Sequence, residues 1–429
     1  MDLLINVIQP YAWGSRSELA RLQRRPVPSP APEAELWMGA HPSAPSRVER
    51  DGAPLSLAEI IRAAPERVLG REVAAAFGGT LPFLLKVLAA ETPLSLQAHP
   101  DSEQAREGFA RENAAGIPLG APQRSYQDAN PKPELLCALT EFEGLCGFRD
   151  TREALALFTT LGIPALDDVA AALERGADGV REAFARILAR TPEECTRLVP
   201  DVARAARLKA AATPAPFKDS LSWAGRLSEL YPQDPGVIAS LLLNHVRLGP
   251  GEAIYLPPRV MHAYLRGTGV EIMATSDNVL RGGCTPKHVD RAELLRVLDF
   301  RPTPPTVVSP SPRSGGEWVY ETPSPEFQLS RFELRGTPVT PERRGPEIVL
   351  CVEGTLWLEA SGQRLGLPSG ASGFVSASDP PYTVQGEGVL FRAAPRICDP
   401  RPRPRPEGDP GVHSAERRSD RPSSPEAAT

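Results

Sequence analysis

Glycine and proline divide much of this 429-residue chain into short apolar runs, and this punctuation restricts the folds that it can adopt. Runs such as AELWMGAHP and ELLCALTEFEGLCGF are typical of short β-strands. They occur within residues 1–50 and 80–148 and return between 317 and 396, where their regular spacing indicates a second β-barrel or sandwich. The sequence therefore predicts a mainly β protein with two β-rich parts.

A different pattern occupies residues 151–248, where apolar residues recur at helical spacing. The segment VREAFARILAR places four of them on one stripe of a helix, namely Val180, Phe184, Ile187 and Leu188. Loops such as TPAPFKDS interrupt the pattern. We therefore predict a helical subdomain that is built from several short elements.

The composition resembles that of an ordinary soluble protein, with 41% hydrophobic and 24% charged residues. A formal charge of −5 gives no reason to expect a nucleic-acid partner or an anionic membrane surface. The opening MDLLINVIQP does not resemble a signal peptide, and no window approaches the roughly 20 apolar residues that span a bilayer. Six scattered cysteines without a CxxC pair favour reduced thiols in a cytoplasmic protein.

The run LPFLLKVLAAETPLSLQAHP ends in polar residues at alternate positions. In a β-strand alternate side chains share a face, so Ser95, Gln97 and His99 point to one side of the strand. Either that side meets water, or the three polar groups share a partner inside a pocket. Glu134 and His262 raise the same question, because each lies among apolar neighbours where an unpaired polar group would be costly.

Two imidazoles, one carboxylate and one amide oxygen would together suit a divalent metal of borderline softness, with Zn²⁺ as the first choice. Each residue alone also fits a simpler role. A core histidine such as His262 is commonly hydrogen-bonded rather than metal-bound, and Gln97 is a poor type of zinc ligand that can face water. The long spacings between these residues diagnose nothing by themselves.

Longer motifs connect these residues to a known family. GPGEAIYLPPRVMHAYL follows the cupin pattern, in which a Gly-x-Glu turn leads to a strand, a proline turn and a metal-binding histidine. With YAWGS, AELWMGAHP, LPFLLKVLAAETPLSLQAHPD, NPKPELLCALTEFEGLCGF and HAYLRGTGVEIMATSDNVLRGGCTPKHVD, the chain closely resembles the type I phosphomannose isomerase family. This resemblance implies a cupin (jelly-roll) β-barrel core with helical insertions and a second, C-terminal cupin-like β-domain. It also implies one zinc ion per chain, held by Gln97, His99, Glu134 and His262.

The resemblance also assigns residues to the handling of a phosphorylated sugar. Arg281 matches the active-site arginine of the family, while Lys132 and Lys287 resemble its cationic pocket residues. Ser95 is a candidate donor to phosphate oxygens, and Asp277 is a candidate acid or base. Without the resemblance, Arg281 would be interpreted as half of a surface ion pair, and a turn cap is the alternative for Asp277.

One position departs from the family. Many relatives carry a His-Lys-Pro-Glu motif, whereas this chain has Pro131 in place of the histidine. If that histidine helps to open the sugar ring, another group or water must do so here. We interpret the remaining histidines His41, His245 and His288 as structural or surface residues.

The reaction implied by the resemblance is aldose–ketose isomerisation between D-mannose 6-phosphate and D-fructose 6-phosphate through a cis-enediol, which would supply GDP-mannose precursors. The proton-transferring base stays open between Asp277, Lys132 and a water molecule. One alternative is a cupin isomerase that prefers glucose 6-phosphate, and another is a sugar-phosphate-binding cupin without catalysis. We expect a cytoplasmic monomer without a nucleic-acid or membrane partner.

These expectations divide the chain into five segments. The catalytic cupin domain comprises 1–150, with a helical insertion, and 249–300; the helical subdomain is 151–248, the second β-domain 301–397 and the tail 398–429. The tail contains DPRPRPRPEGDP and has almost nothing to bury, so we predict it to be disordered and partly polyproline. A binding role for its RPRPRP run is the alternative.

Overall fold

The structure is a computed structural model that describes residues 1–50, 52–212, 217–343 and 345–398. The predicted disorder of the tail from residue 399 onward lies outside these residues. Within the described part of the chain, no helix has the length and apolar character needed to cross a bilayer.

Regular elements cover most of the described chain. The strands are β1 (Asp2–Ile5), β2 (Val7–Gln9), β3 (Glu35–Met38), β4 (Arg47–Arg50), β5 (Ala53–Ser56), β6 (Phe83–Ala90), β7 (Leu96–Ala98), β8 (Glu134–Ala138), β9 (Phe142–Phe148), β10 (Leu243–Leu248), β11 (Ala253–Leu256), β12 (His262–Ala274), β13 (Leu280–Gly283), β14 (Thr306–Val308), β15 (Ser311–Pro312), β16 (Glu317–Tyr320), β17 (Gln328–Arg335), β18 (Glu347–Ala360), β19 (Gln363–Pro368), β20 (Ser372–Val375) and β21 (Thr383–Ala394). The helices are α1 (Glu18–Leu22), α2 (Leu57–Ala63), α3 (Pro65–Leu69), α4 (Arg71–Ala76), α5 (Ser102–Ala114), α6 (Thr151–Leu161), α7 (Asp167–Leu173), α8 (Val180–Leu188), α9 (Pro192–Ala210), α10 (Phe217–Leu230), α11 (Gly236–Ala239) and α12 (Arg291–Val297).

The strands form two antiparallel sheets. The first has the order β14-β11-β8-β12-β6-β3-β2, and β12 also pairs with β7 and β9, which continue to β13 and β10. The second has the order β15-β16-β17-β21-β18-β20-β1-β4-β5, with β19 beside β18. The prediction of a mainly β fold with helical insertions is confirmed.

Strand β6 lies in the first sheet with side chains buried on both of its faces. Its odd-numbered residues, including Phe83, Leu85 and Val87, belong to the hydrophobic core that lies between the two sheets. Its even-numbered residues face the other way, and Lys86 is the charged member of that row. Both faces are buried, so a lysine at this position needs a partner inside the fold.

The predicted helical stripe is confirmed, because Val180, Phe184, Ile187 and Leu188 are all buried on α8. Helices α6 to α11 surround one hydrophobic core, which also contains Leu96 of β7 and other strand residues. The helical layer therefore supports the back of the short strands in the first sheet.

One close approach fixes the helical layer against β13. A Cβ atom on Gly236 in α11 would lie only 2.6 Å from the backbone nitrogen of Cys284 and 2.7 Å from the Cα of Gly283. Glycine is therefore required at Gly236 for this contact, and Gly283 itself has a φ of 130°. The end of the strand that carries Arg281 is thus held by backbone contacts.

The beginning of the chain belongs to both sheets. Strand β1 pairs with β20 in the second sheet, with Asp2 opposite Phe374, whereas β2 pairs with β3 in the first sheet, with Val7 opposite Trp37. The Asn6 side chain, between these strands, donates to Ser372 Oγ at 2.7 Å. The segment boundaries given above stay a prediction, and this short stretch links the two sheets.

Candidate metal centre

Three of the four predicted ligands converge at the ends of neighbouring strands. His99 follows β7, Glu134 begins β8 and His262 begins β12, and all three side chains are buried. His99 Nε2 lies 3.4 Å from Glu134 Oε1, and His262 Nε2 lies 3.4 Å from Glu134 Oε2. The strand ends thus bring together residues that are far apart in sequence.

In both imidazoles, the hydrogen bond made by Nδ1 leaves the lone pair of Nε2 directed into this cluster. His99 Nδ1 lies 2.7 Å from the carbonyl oxygen of Asn278, and His262 Nδ1 lies 3.0 Å from that of Val260. A carbonyl can only accept, so each Nδ1 carries the proton and each Nε2 is unprotonated in the neutral ring. Both Nε2 atoms and Glu134 Oε2 are buried without a hydrogen-bond partner among the described residues.

This arrangement fits a metal ion. One ligand atom from each residue lies within 4.8 Å of the others. Around a tetrahedral zinc ion with bonds of roughly 2.0–2.1 Å, ligand atoms lie about 3.3–3.4 Å apart. The distance from each histidine to its nearer Glu134 oxygen has this size, and the two distances run to different oxygens. A cation would also satisfy the three buried atoms that lack a hydrogen bond.

Electrostatics favour the forms of these residues that bind metals. Burial lowers the pKa of His99 to about 4, so its imidazole is neutral near pH 7. Burial alone would raise the pKa of Glu134, but the closeness of His99 and the charge of Lys132 hold it well below its usual value. Lys132 Nζ lies 3.3 Å from Glu134 Oε1, which places this predicted residue directly beside the cluster.

Gln97 and Arg281 share a row with His262. In the sheet register Gln97 is opposite His262 on one side and opposite Arg281 on the other. Directly opposite residues point to the same face of a sheet and have Cβ atoms about 4.5–5.5 Å apart. The side chains of Gln97 and Arg281 therefore lie on the same face of the sheet as that of His262.

Arg281 is half-buried rather than part of a surface ion pair. Burial lowers the pKa of its guanidinium, and no carboxylate among the described residues lies close enough to offset this effect. Lys287 is exposed, and its pKa is lowered by partial burial and by the charge of Arg281. Ser95 is half-buried just before β7. Neither Ser95 nor Lys287 forms a hydrogen bond or ion pair with the three-residue cluster in the described part of the chain.

A second buried group was missed by the sequence analysis. Lys86 Nζ lies 3.1 Å from Glu271 Oε2 and 3.4 Å from Glu35 Oε1, and Tyr264 donates its hydroxyl to Glu271 at 2.8 Å. The charge of Glu134 also acts on Lys86, so this group lies near the cluster. The sequence did contain a signal for this group, because Lys86, Glu35 and Glu271 are each a charged residue among apolar neighbours in a strand segment.

Asp277 lies at a cleft of about 790 Å³ rather than serving only as a turn cap. Its Oδ1 atom is 3.3 Å from His41 Nε2, and Pro131 lines the same cleft. Burial alone would raise the pKa of Asp277, but the hydrogen bond from His41 and the charges of His41 and Lys132 outweigh burial and lower it. His245 pairs with Glu143 at 3.0 Å, and neither residue lines this cleft.

Comparisons with protein families match two parts of the chain. Residues 1–151 match the family model for the type I phosphomannose isomerase catalytic domain. Residues 318–395 match the family model for the mannose-6-phosphate isomerase cupin domain. The expected cupin-like domain near the C-terminus is thus confirmed.

Individual proteins match over most of their length. A mannose-6-phosphate isomerase of Escherichia coli (strain K12) is 41% identical over 397 residues, covering 91% of this chain and 99% of the relative. A crystal structure of a phosphomannose isomerase mutant from Salmonella typhimurium has a TM-score of 0.86 and 38% identity, covering 92% of this chain and 99% of its own. A mannose 6-phosphate isomerase bound with zinc and yttrium has a TM-score of 0.85, also at 38% identity and with the same coverage.

Proposed function

Because the chain belongs to the type I phosphomannose isomerase family, we propose that it interconverts D-mannose 6-phosphate and D-fructose 6-phosphate at one zinc ion. The ligands proposed are Gln97, His99, Glu134 and His262. The observation that carries this proposal is the convergence of three buried atoms without hydrogen bonds, on His99, Glu134 and His262. A solved relative bound with zinc supports the choice of metal.

The reaction moves a proton between C2 and C1 of the open sugar, with a cis-enediol between the two forms. Bound zinc would supply Lewis-acid stabilisation of negative charge on the sugar oxygens. Arg281 adds a permanent positive charge beside the same oxygens, and since no carboxylate of the described residues offsets this charge, the guanidinium is available for them. Asp277 and Lys132 are the chain's own candidates for moving the proton.

We propose that the phosphate group of the substrate binds on the side of the site that carries Arg281 and Lys287. Lys287 is exposed and lies close enough to Arg281 for the two charges to interact. We assign Lys287 and Ser95 to the phosphate, because an ammonium and a hydroxyl both donate to phosphate oxygens. Arg281 then lies between the phosphate group and the reacting carbons.

The cellular setting follows from the same substrate. We propose that the enzyme acts as a monomer in the cytoplasm, on a sugar phosphate rather than a nucleic acid or membrane, and supplies mannose metabolism and GDP-mannose precursors. The described cysteines Cys137, Cys146, Cys195, Cys284 and Cys351 are all free, as expected in a reducing compartment.

A coupled assay tests the function. Zinc-loaded protein is given mannose 6-phosphate or glucose 6-phosphate at equal concentrations, and formation of fructose 6-phosphate is followed. We expect turnover of mannose 6-phosphate that is lost with a chelator and restored by Zn²⁺. Preference for glucose 6-phosphate would indicate a different isomerase, and binding of either sugar without turnover would indicate a non-catalytic cupin.

A further inference from the structure

The cleft that Asp277 and Pro131 line contains an imidazole–carboxylate pair outside the proposed ligand set, and the proposed ligands themselves do not line it. His41 Nε2 lies 3.3 Å from Asp277 Oδ1. The His41 side chain is 2% exposed, whereas 52% of the Asp277 side chain is exposed, and both residues line the cleft. The pair thus joins a buried imidazole to a carboxylate that a substrate can reach.

The surroundings of His41 determine which ring nitrogen carries the proton. The backbone N–H of Ser43 lies 3.3 Å from His41 Nδ1 and can only donate, and Ser43 Oγ lies 2.8 Å from the same atom. Nδ1 therefore accepts, and the neutral ring carries its proton on Nε2, facing Asp277. The Trp37 ring packs edge-on against the imidazole, with 4.8 Å between ring centres.

The backbone of Asp277 is tied to the metal centre. Its N–H donates to Asp128 Oδ2 at 2.8 Å, and the next residue, Asn278, accepts a hydrogen bond from His99 Nδ1 through its carbonyl oxygen. The loop position is therefore fixed relative to His99. The orientation of the Asp277 carboxylate depends instead on its contact with His41.

Pro131 contributes no acid–base group to the cleft that holds this pair. It lines the same cleft, and a proline side chain has neither a proton donor nor an acceptor. Among the described histidines, His41 alone lines this cleft.

We propose that His41 is a positioning residue for Asp277. This inference rests on the proposed isomerase function. When the ring opens, Asp277 accepts the proton of the anomeric hydroxyl, the C1–O5 bond breaks with its electron pair staying on O5, and a water molecule protonates O5. The hydroxide left by that water then takes the proton from Asp277. His41 does not touch the sugar; its Nε2–H holds the carboxylate in one orientation.

A double-mutant cycle separates positioning from direct catalysis. We compare His41→Ala, Asp277→Asn and the combined variant for kcat, KM and zinc content. A general acid or base supplies about 10²–10⁴-fold in rate, so we expect Asp277→Asn to lower kcat by that range and His41→Ala by roughly 10-fold or more. Because His41 acts through Asp277, the combined variant should be no slower than Asp277→Asn alone.

Two further variants control for folding and chemistry. His41→Gln places an amide N–H near the position of Nε2 and should recover most of the lost kcat. His245→Gln alters another buried histidine–carboxylate pair and should leave kcat unchanged. Zinc content and KM should stay within about threefold of the wild type in every His41 variant, since a removed transition-state interaction acts mainly on kcat.

Several results would overturn the inference. Losses that multiply in the combined variant, or His41→Ala with normal kcat, would show that His41 does not act through Asp277. Histidine labelled with ¹⁵N gives an independent measurement: the His41 signal should show a proton on Nε2, and this preference should weaken in Asp277→Asn. An unchanged signal would refute the contact even if the wild type proved inactive, a result that would refute the proposed function instead.

Discussion

Replacing Lys86 with methionine should destabilise the fold strongly, and more at high pH than at low pH. Lys86 is the cation between Glu35 and Glu271, and its side chain is 7% exposed. Methionine has a similar length, so little cavity is created. Removing one partner of a buried ion pair costs about 3–5 kcal/mol, because the other charge stays buried without compensation. With two carboxylates left behind, we expect a loss within that range near pH 8.

The pH dependence follows from the remaining carboxyl groups. Burial raises the pKa of Glu271 even with Lys86 present, and without the lysine the folded-state pKa of Glu271 should rise further. A group whose folded-state pKa is raised stabilises the fold below its unfolded pKa and loses this contribution as pH rises through the folded value. The deficit of Lys86→Met should therefore shrink between pH 8 and pH 5.

Urea denaturation followed by circular dichroism measures this effect. Wild type, Lys86→Met and the exposed control Lys218→Met are compared at pH 8 and pH 5 with the same zinc concentration. The control removes the same charge from a helix surface and should change the unfolding free energy by less than about 0.5 kcal/mol. A Lys86→Met deficit that is below 1 kcal/mol, or equal at both pH values, would refute the reasoning about buried charge.

Substitutions at three other positions test the candidate site and the packing of the fold. Arg281→Ala should keep its zinc but lose about 10²–10³-fold in kcat, and Arg281→Lys should recover little, as steady-state kinetics with elemental analysis would show; near-normal turnover in the zinc-loaded variant would contradict a catalytic role. The wild type should contain about one zinc ion per chain and Glu134→Ala should lose it; full metal content in the variant would exclude Glu134 as a ligand. Gly108→Ala should destabilise the fold by about 1–3 kcal/mol and so lower its melting temperature, because the added Cβ would overlap the Tyr126 ring. An unchanged melting temperature would show that the ring moves aside freely.

The parts of the fold that depend on local pattern could be predicted from the sequence. The alternation in LSLQAHP separates Leu96, which packs in the helical core, from His99, which belongs to the cluster with Glu134 and His262. The helical stripe on α8 is likewise a property of neighbouring residues. For Gln97, Glu134 and His262, the motif resemblance supplied what spacing could not.

The parts that depend on strand register could not be predicted. Lys86 meets Glu271 because β6 and β12 pair with these residues opposite each other, and no local signal encodes that register. The His41–Asp277 contact joins two loops whose separation in sequence is similarly large. Sequence patterns place single residues on faces of strands, whereas these polar contacts form only when distant strands align.

The position of β1 in the second sheet has a consequence for the order of folding. During synthesis β1 leaves the ribosome first, but its partner β20 is among the last strands to be made. Pairing of Leu3 with Gly373 closes a loop that contains almost the whole chain, and such non-local contacts form slowly. We therefore expect the pairing of β1 with β20 to form late in folding, with β20 exposing an unpaired edge until then.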